Sequence, residues 1–358
     1  MDGEAEAAGI LHVAGRVTDE VSGFLGPAVR ALAARRRVQR IVLIDAPEFR
    51  HNVERFAPYA KVIRIAPTPN PLSQWTEVLD AFEREFARPG LGAVHAHGVL
   101  PFLSICWTLR DAPGIRTPVF YSPYSSRAHR FLHLPIRLTR RSAGAPRSSA
   151  IVPSPNHLPA CDRHVPTELV ECPVGDVFFA MPRDESSTPL IVGSGRDSHT
   201  KGIELFCRLA IQLSGEELGL AFAWLGVAPG GTDGRLHAAG IDVRPCLRDE
   251  ECAESMRSAW IHVTPWPAEG FPFFLVQAMA SGIPCVALDC RQHREVIVNG
   301  KTGFLCDSEA EMVSRIAELI DDPALRKTVG NAARQAARAR FDESDFQTRL
   351  ISAYSTLW

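Results

Sequence analysis

The sequence of 358 residues is short of several things, and each shortage removes a class of function. No apolar run approaches the ~18 residues that a bilayer-spanning helix needs. Net charge is nearly absent: 39 basic against 41 acidic residues leave −2, so there is no general electrostatic case for nucleic-acid binding. The nine cysteines form no Cys-x-x-Cys pair and no metal-ligand cluster, and their number is odd. Reduced thiols in a cytosolic protein are therefore expected. The first residues, Met1-Asp2-Gly3-Glu4-Ala5-Glu6, are acidic and lack the basic-then-apolar pattern of a secretory leader. Lysine is scarce: Lys61, Lys201, Lys301 and Lys327 are four among the 39 cationic residues, so each is worth reading individually.

What is present is the composition of a globular chain, 46% hydrophobic and 22% charged. At about 150 residues per domain the length predicts two domains. The first half alternates strand-like runs with helical ones. Ile10 to Ala14, Arg40 to Asp45, Lys61 to Ile65, Gly92 to His97, Thr117 to Ser122 and Ala150 to Pro153 read as strands. Helices are expected over Pro27–Arg37, Trp75–Phe86 and Phe102–Leu109, and Gly15 to Leu25 reads as a loop containing Gly23. The polar, proline-flanked stretch Pro182 to Pro189 reads as a linker. The alternation then restarts. Strands are expected at Leu190–Gly193, Leu220–Leu225, Ile241–Arg244, Ile261–Thr264 and Cys285–Leu288. Helices are expected at Ile203–Leu213, Asp249–Ser258 and Pro272–Ser281, with three more segments from Glu309 to Trp358. Strands alternating with helices argue for parallel sheets covered on both faces. The inferred class is α/β, with two Rossmann-like doubly wound domains facing an interdomain cleft.

Ligands of such sheets bind beyond the carboxyl ends of the strands, so the loops that follow strands carry the chemistry. The first is Gly193-Ser194-Gly195-Arg196-Asp197-Ser198-His199-Thr200-Lys201-Gly202. It brings an arginine and one of the four lysines to a strand end, where a planar fork and a compact charge can clamp a diphosphate. The plain alternative is a solvated turn. The second runs from Trp266 through Glu269-Gly270-Phe271-Pro272-Phe273 to Gln277 and Gly282-Ile283-Pro284. Here an acid and a glycine precede a helix whose first-turn amides can meet an anion or a polar ligand. Glu269 at a helix start and Phe271 and Phe273 in a core are the plain alternatives.

At these segments the second half resembles the donor-binding domain of GT-B-fold glycosyltransferases, in particular the retaining family 4, the group 1 glycosyltransferases. The family's glycine-arginine, four residues, lysine-glycine is matched by Gly195-Arg196 and Lys201-Gly202. Its Glu-Gly-Phe-Gly, second glutamate and Ala-Met-Ala-Ser-Gly-x-Pro are matched by Glu269-Gly270-Phe271-Pro272, Gln277 and Ala278-Met279-Ala280-Ser281-Gly282-Ile283-Pro284. Glu295 to Leu305 resembles the next segment, and the likeness covers about residues 188 to 350. The resemblance implies a retaining, metal-independent sugar-nucleotide transferase of GT-B architecture that needs no cofactor. Its donor is a nucleotide sugar. Arg196 and Lys201 would neutralise the leaving diphosphate, Glu269 and the amides of Gly270 to Phe273 would hold the sugar hydroxyls, and residue 277 the ribose. Gly195 belongs to the same donor site. There is no Asp-x-Asp in the chain, so no metal site is expected. The implied division is 1–182 acceptor side, 183–340 donor side, and 341–358 crossing back to the first domain.

The first half resembles the family more loosely. Val94-His95-Ala96-His97-Gly98 is similar to its strand-end His-x-His-Gly, which makes His97 an acceptor-side candidate. Thr18 to Phe24 stands in the place of the glycine-rich first loop, with Gly23 nearest the donor. Two departures stand out: Gln277 replaces the second signature glutamate, and Ser122-Pro123-Tyr124-Ser125 replaces Ser-Pro-His-Gly, which puts Tyr124 on the acceptor side. Residues 127 to 147 hold six arginines and no acid among Phe131, Leu132, Leu134, Ile136 and Leu138. That stretch reads either as a surface helix or as a peripheral contact with an anionic membrane, the second implying a lipid-linked rather than a simple saccharide acceptor. The expected location is the cytoplasm, with or without that contact on the inner membrane's cytoplasmic face. An epimerase on the same fold and a non-catalytic sugar-nucleotide-binding protein are the alternatives.

Overall fold

The structure is a computed structural model that describes residues 9–110, 117–124, 147–155, 166–195, 200–214, 219–226, 234–246, 248–267 and 271–356. Contacts divide the chain into two units, Met1–Pro173 with Ser344–Trp358, and Val174–Glu343. The polar stretch 182–189 falls inside the second unit. The amides of Asp184 and Ser186 donate to the carbonyls of Arg257 and Ser258, and the Trp260 indole donates to Ser186 O.

The first unit is built on strands β1 Gly9–Arg16, β2 Gln39–Ile44, β3 Lys61–Ile65, β4 Leu91–His97, β5 Val119–Ser122, β6 Ser148–Val152 and β7 Thr167–Leu169. They form a parallel sheet in the order β3-β2-β1-β4-β5-β6-β7. Helices cover it because its central strands are buried on both faces, as parallel sheets require. Helix Pro71–Phe86 starts where proline suits the first position and the Asn70 side chain accepts from Leu72 N at 2.9 Å. It buries Val78, Ala81, Phe82 and Glu85, three or four residues apart.

One expectation fails here. The segment Gly15–Leu25 is not a loop: β1 runs to Arg16, and a helix occupies Asp19–Ala34, with Thr18 as its cap. Gly23 lies inside that helix, so it forms no glycine-rich phosphate loop, and Pro27 sits in the helix interior. Glycine and proline cost a helix about 1 and 3 kcal/mol. Burial of Val21, Phe24, Leu25, Val29 and Leu32, at roughly 1.5–3 kcal/mol each, outweighs them.

The second unit repeats the plan with β8 Leu190–Ser194, β9 Ala221–Leu225, β10 Asp242–Arg244, β11 Ile261–Thr264, β12 Cys285–Leu288 and β13 Phe304–Cys306. The order is β10-β9-β8-β11-β12-β13, again parallel. One apolar cluster, containing Met256, Val276, Met279 and Phe341, fills one part of the core, and another, containing Phe206, Trp224, Ile316 and Leu319, fills a second. Helix Phe273–Ala280 packs on helix Pro323–Phe341 at a glycine contact. A side chain on Gly330 would run into the Gly282 carbonyl.

Both sheets are therefore doubly wound with the Rossmann strand order, and strand progression reverses between β1 and β4 and between β8 and β11. Among the described residues no helix is long and apolar enough to cross a membrane.

Candidate functional site

In the second unit the reversal places two loops side by side, the one after β8 and the one after β11. These are the two segments singled out in the sequence. Arg196, Glu269 and Gly270 lie outside the described residues, and so does the Lys201 side chain. The Lys201 backbone is the second residue of helix Thr200–Ser214.

Gly195 is described, and both its backbone groups are engaged. Its amide donates to Leu225 O at 2.9 Å, and its carbonyl accepts the Trp224 indole N–H at 3.1 Å. Gly195 thus pins the start of the loop to β9, and its N–H is not free for a phosphate. The expected use of backbone amides at 270–273 also narrows. Pro272 has no N–H, and the Phe273 amide donates to Phe271 O at 2.9 Å. Phe271 packs on Phe273 and Phe341, with ring centroids 4.8 and 5.5 Å away, and lies against the core.

Gln277 stands differently. Its Oε1 is buried and has no hydrogen-bond partner in the protein. An orphaned buried carbonyl costs about 1–3 kcal/mol, so it is a place where a ligand hydroxyl would be welcome.

Beneath the two loops lies an aromatic wedge that the sequence did not disclose. Trp266, just after β11, meets Trp224 at 5.5 Å between ring centroids, and Trp224 meets Phe206 at 5.3 Å. Glycines make room for it. A Cβ on Gly193 would come within 2.7 Å of Trp224 and 2.9 Å of Phe206, and one on Gly202 within 2.6 Å of Trp266. The motif glycine at 202 is therefore a packing requirement that sets the helix carrying Lys201 against the β11 loop. On the other face of the sheet from Trp224, His262 on β11 is fully buried, with Nε2 at 2.8 Å from Ser194 Oγ, and burial drives its pKa down to about 3. It is a neutral hydrogen-bonding residue.

In the first unit the parallel register puts His12 opposite His95 and Ala14 opposite His97, so the three imidazoles share one face of the sheet. His12 Nδ1 and His97 Nε2 are 3.1 Å apart, and His97 Nδ1 is 2.9 Å from the Tyr124 hydroxyl. His95 Nδ1 is 2.6 Å from the Tyr354 hydroxyl and its Nε2 is 2.8 Å from Ser122 Oγ. Phe24 and Phe120 pack edge-on against His95. Burial holds all three histidines in the neutral form: His12 falls to about 4, and His95 and His97 fall well below their usual value. The structure thus brings the two acceptor-side candidates, His97 and Tyr124, into contact. It also adds His12, Ser122 and Tyr354, which the sequence did not point to.

Imidazole nitrogens of His12, His95 and His97 lie within 4.8 Å of one another, a spacing at which three histidines can hold a divalent ion. Five of the six ring nitrogens, however, already have protein partners. Hydrogen bonding accounts for the arrangement without an ion. The basic stretch 127–147, apart from Arg147, lies outside the described residues.

Residues 179–336 match the family model for glycosyl transferases group 1. This segment is a group 1 glycosyl transferase domain. Curated relatives include the lipopolysaccharide core biosynthesis mannosyltransferase LpcC of Rhizobium leguminosarum bv. viciae, 30% identical over 46% of this chain and 49% of that protein. The D-inositol 3-phosphate glycosyltransferase of Arthrobacter sp. strain FB24 is 31% identical over 39% of this chain and 36% of its own length. The chain thus spans half or less of the curated relatives it matches. Among solved structures, sucrose-phosphate synthase from Thermosynechococcus elongatus superposes with a TM-score of 0.75 at 17% identity, over 98% of this chain and 99% of that one. Anabaena HepE, in complex with UDP and glucose, gives 0.74 at 17% identity over 98% and 100%. At that identity these likenesses establish the fold, the GT-B type with two Rossmann-like units. The group 1 glycosyl transferase domain holds both loops of the second unit, the aromatic wedge and Gln277.

Proposed function

We propose that the protein is a retaining glycosyltransferase that moves a sugar from a nucleotide-sugar donor to a hydroxyl of a saccharide, lipid-linked or small-molecule acceptor, holding the diphosphate without a metal. The observation that carries this reading is Gln277 Oε1, buried and unpartnered inside a group 1 glycosyl transferase domain, on the helix that follows the strand-order reversal. A ribose hydroxyl is the donor it lacks. HepE, which shares the fold, has been seen with UDP and glucose, which supports a nucleotide-sugar donor. In this reading Arg196 and Lys201 neutralise the leaving diphosphate, and Glu269 meets the transferred sugar, where charge develops as the glycosidic bond breaks. Front-face departure of the diphosphate, whose oxygen helps to deprotonate the acceptor, yields retention without a protein nucleophile.

A thermal-shift panel of UDP-, GDP-, ADP- and dTDP-sugars tests the donor class, because a ligand at 100 times its Kd adds about 2.7 kcal/mol. Glu269→Gln should lower kcat, and Gln277→Ala should raise the donor KM, since one contact strengthens in the transition state and the other binds uniformly. Gln277→Glu should be tolerated because a carboxylate still accepts a hydroxyl. No shift with any nucleotide sugar would refute the reading. A donor consumed without an acceptor would replace it with an epimerase, and an intact kcat in Glu269→Gln would remove that residue's role.

A further inference from the structure

The amino-terminal ends of β1 to β4 lie at the opposite end of the first sheet from His97 and Tyr124. Three turns lead into these strands: 35–38 into β2, 55–60 into β3 and 87–90 into β4. They contain Arg35, Arg36, Arg37, Arg55 and Arg88, and no acid. Backbone contacts hold the turns side by side. Ile10 N donates to Val38 O at 2.9 Å, Gly9 N donates to Gly90 O at 2.6 Å, and Gln39 Nε2 lies 3.5 Å from Tyr59 O. Lys61, one of the four lysines, opens β3 opposite Arg40.

Positive charge is in excess here. The Glu85 carboxylate is shared by Arg40 at 3.5 Å, Lys61 at 3.5 Å and Arg88 at 3.2 Å, three cations on one acid. Arg35 and Arg36 are exposed and have no acidic partner among the described residues. Asp2, Glu4 and Glu6, upstream of β1, lie outside those residues. Arg36 also takes a left-handed backbone, φ 56°, and is the one non-glycine to do so among the described residues. Its amide donates to Ala33 O at 2.9 Å and that of Arg37 to Leu32 O at 3.1 Å, the helix-ending motif in which glycine suits the place of Arg36. Arginine carries steric strain there, and what it adds over glycine is its long cationic side chain.

Apolar groups stand among the cations. Val38 is 55% and Tyr59 41% exposed. Neighbouring strands lie about 4.8 Å apart, so four strand ends span about 15 Å, too wide for one small anion. A lipid surface takes both kinds of group: cations meet its phosphates, while aliphatic and phenolic side chains settle just beneath them. A nucleic-acid backbone would offer Val38 nothing. We propose that this end of the first unit is a docking surface for an anionic phospholipid membrane, separate from the basic stretch 127–147. Docking here leaves the carboxyl ends of the strands, with His97 and Tyr124, uncovered.

Co-sedimentation of the full chain with vesicles tests this. Binding is expected to phosphatidylcholine mixed with phosphatidylglycerol, not to phosphatidylcholine alone, and should weaken as salt rises. A cation at an anionic surface strengthens binding about fivefold. Arg36→Gly should therefore weaken vesicle binding about fivefold, and Arg35→Ser, Arg36→Gly and Arg37→Ser together roughly a hundredfold. Because Arg36→Gly also relieves the backbone, its Tm should equal or exceed that of the wild type. Weaker binding at an undiminished Tm assigns the loss to the charge and not to a damaged fold. Wild-type protein that ignores the mixed vesicles overturns the proposal. So does binding that survives the triple substitution and is abolished by Arg130→Ser, Arg137→Ser and Arg140→Ser, since docking then belongs to 127–147. A single-stranded oligonucleotide bound at least as tightly as the vesicles, and released by the triple substitution, would make this a nucleic-acid surface instead. None of these readouts uses transfer activity, so the glycosyltransferase reading stands or falls separately.

Discussion

Replacing Gly202 with alanine should destabilise the second unit, although alanine is the better helix former. A Cβ at this position would lie 2.6 Å from Trp266 Cε3, 3.0 Å from Cδ2 and 3.1 Å from Cβ. Carbon atoms at rest stand about 3.5–4.0 Å apart, so ring and helix must separate by most of an ångström. The ring has little room to retreat, because Trp224 lies 5.5 Å behind it and Phe206 lies 5.3 Å behind Trp224. Overpacking of this kind costs about 1–3 kcal/mol, and alanine's helix preference returns up to about 1 kcal/mol. The expected net loss of about 1–2 kcal/mol corresponds to a fall in Tm of about 2–8 °C for a unit of this size. Urea unfolding followed by tryptophan fluorescence includes this unit, which holds Trp224, Trp260 and Trp266 beside the three tryptophans of the first unit. The steric origin is checked by a double-mutant cycle. In a Trp266→Leu background, Gly202→Ala should be neutral or stabilising. A Gly202→Ala protein as stable as the wild type, or an equal loss in both backgrounds, would refute the packing argument.

The same reasoning applies to Gly330→Ala, whose new methyl group would meet the Gly282 carbonyl, a backbone atom that cannot swing away. A loss of about 1–3 kcal/mol in urea unfolding is expected, and unchanged stability would mean that the two helices separate freely. Acid should weaken both units before the carboxylates titrate. His12 and His262 are held neutral with pKa values of about 4 and about 3, below the 6.5 of an exposed histidine, so the unfolded chain binds protons that the native chain refuses. Their contribution is intact above about pH 6.5 and falls by about 1.4 kcal/mol per pH unit for each histidine as pH drops toward 4. Urea midpoints that stay flat from pH 7 to 5 would contradict the burial of these rings. On the proposed reading, in which Arg196 and Lys201 would clamp the diphosphate and the sequence has no Asp-x-Asp, transfer activity should persist in excess EDTA. Complete loss restored by Mg²⁺ or Mn²⁺ would show that the diphosphate is held otherwise.

The sequence by itself determined the class of fold and the address of the two motif segments. Strands β11 and β12 begin and end where the sequence places them, because parallel strands buried on both faces read as short apolar runs between turn residues, and the edge strand β3 also keeps its expected bounds. The motif segments from Gly195 to Gly202 and from Glu269 to Gln277 are local, so their order and spacing are legible without any contact being known. Strands β7 and β13, three residues each, were not singled out in the sequence. The first part of the helix over Asp19–Ala34, up to Leu25, was read as a loop because Gly23, Gly26 and Pro27 punctuate the segment, and only burial against the sheet overrides them.

Tertiary structure decided everything that depends on two distant segments meeting. Gly202 is marked by the motif, but its reason is Trp266, brought to it across the β8–β11 pairing. His12 looks like one polar residue in an apolar strand. It becomes part of a chain only because β1 pairs with β4 in the register that sets His12 opposite His95, one step from His97. Gln277 is a substitution in a signature until the fold shows its oxygen buried and unpartnered. Local propensity and spacing are written along the chain, whereas strand register, steric room and the pairing of buried polar atoms exist only between elements, after the chain has folded.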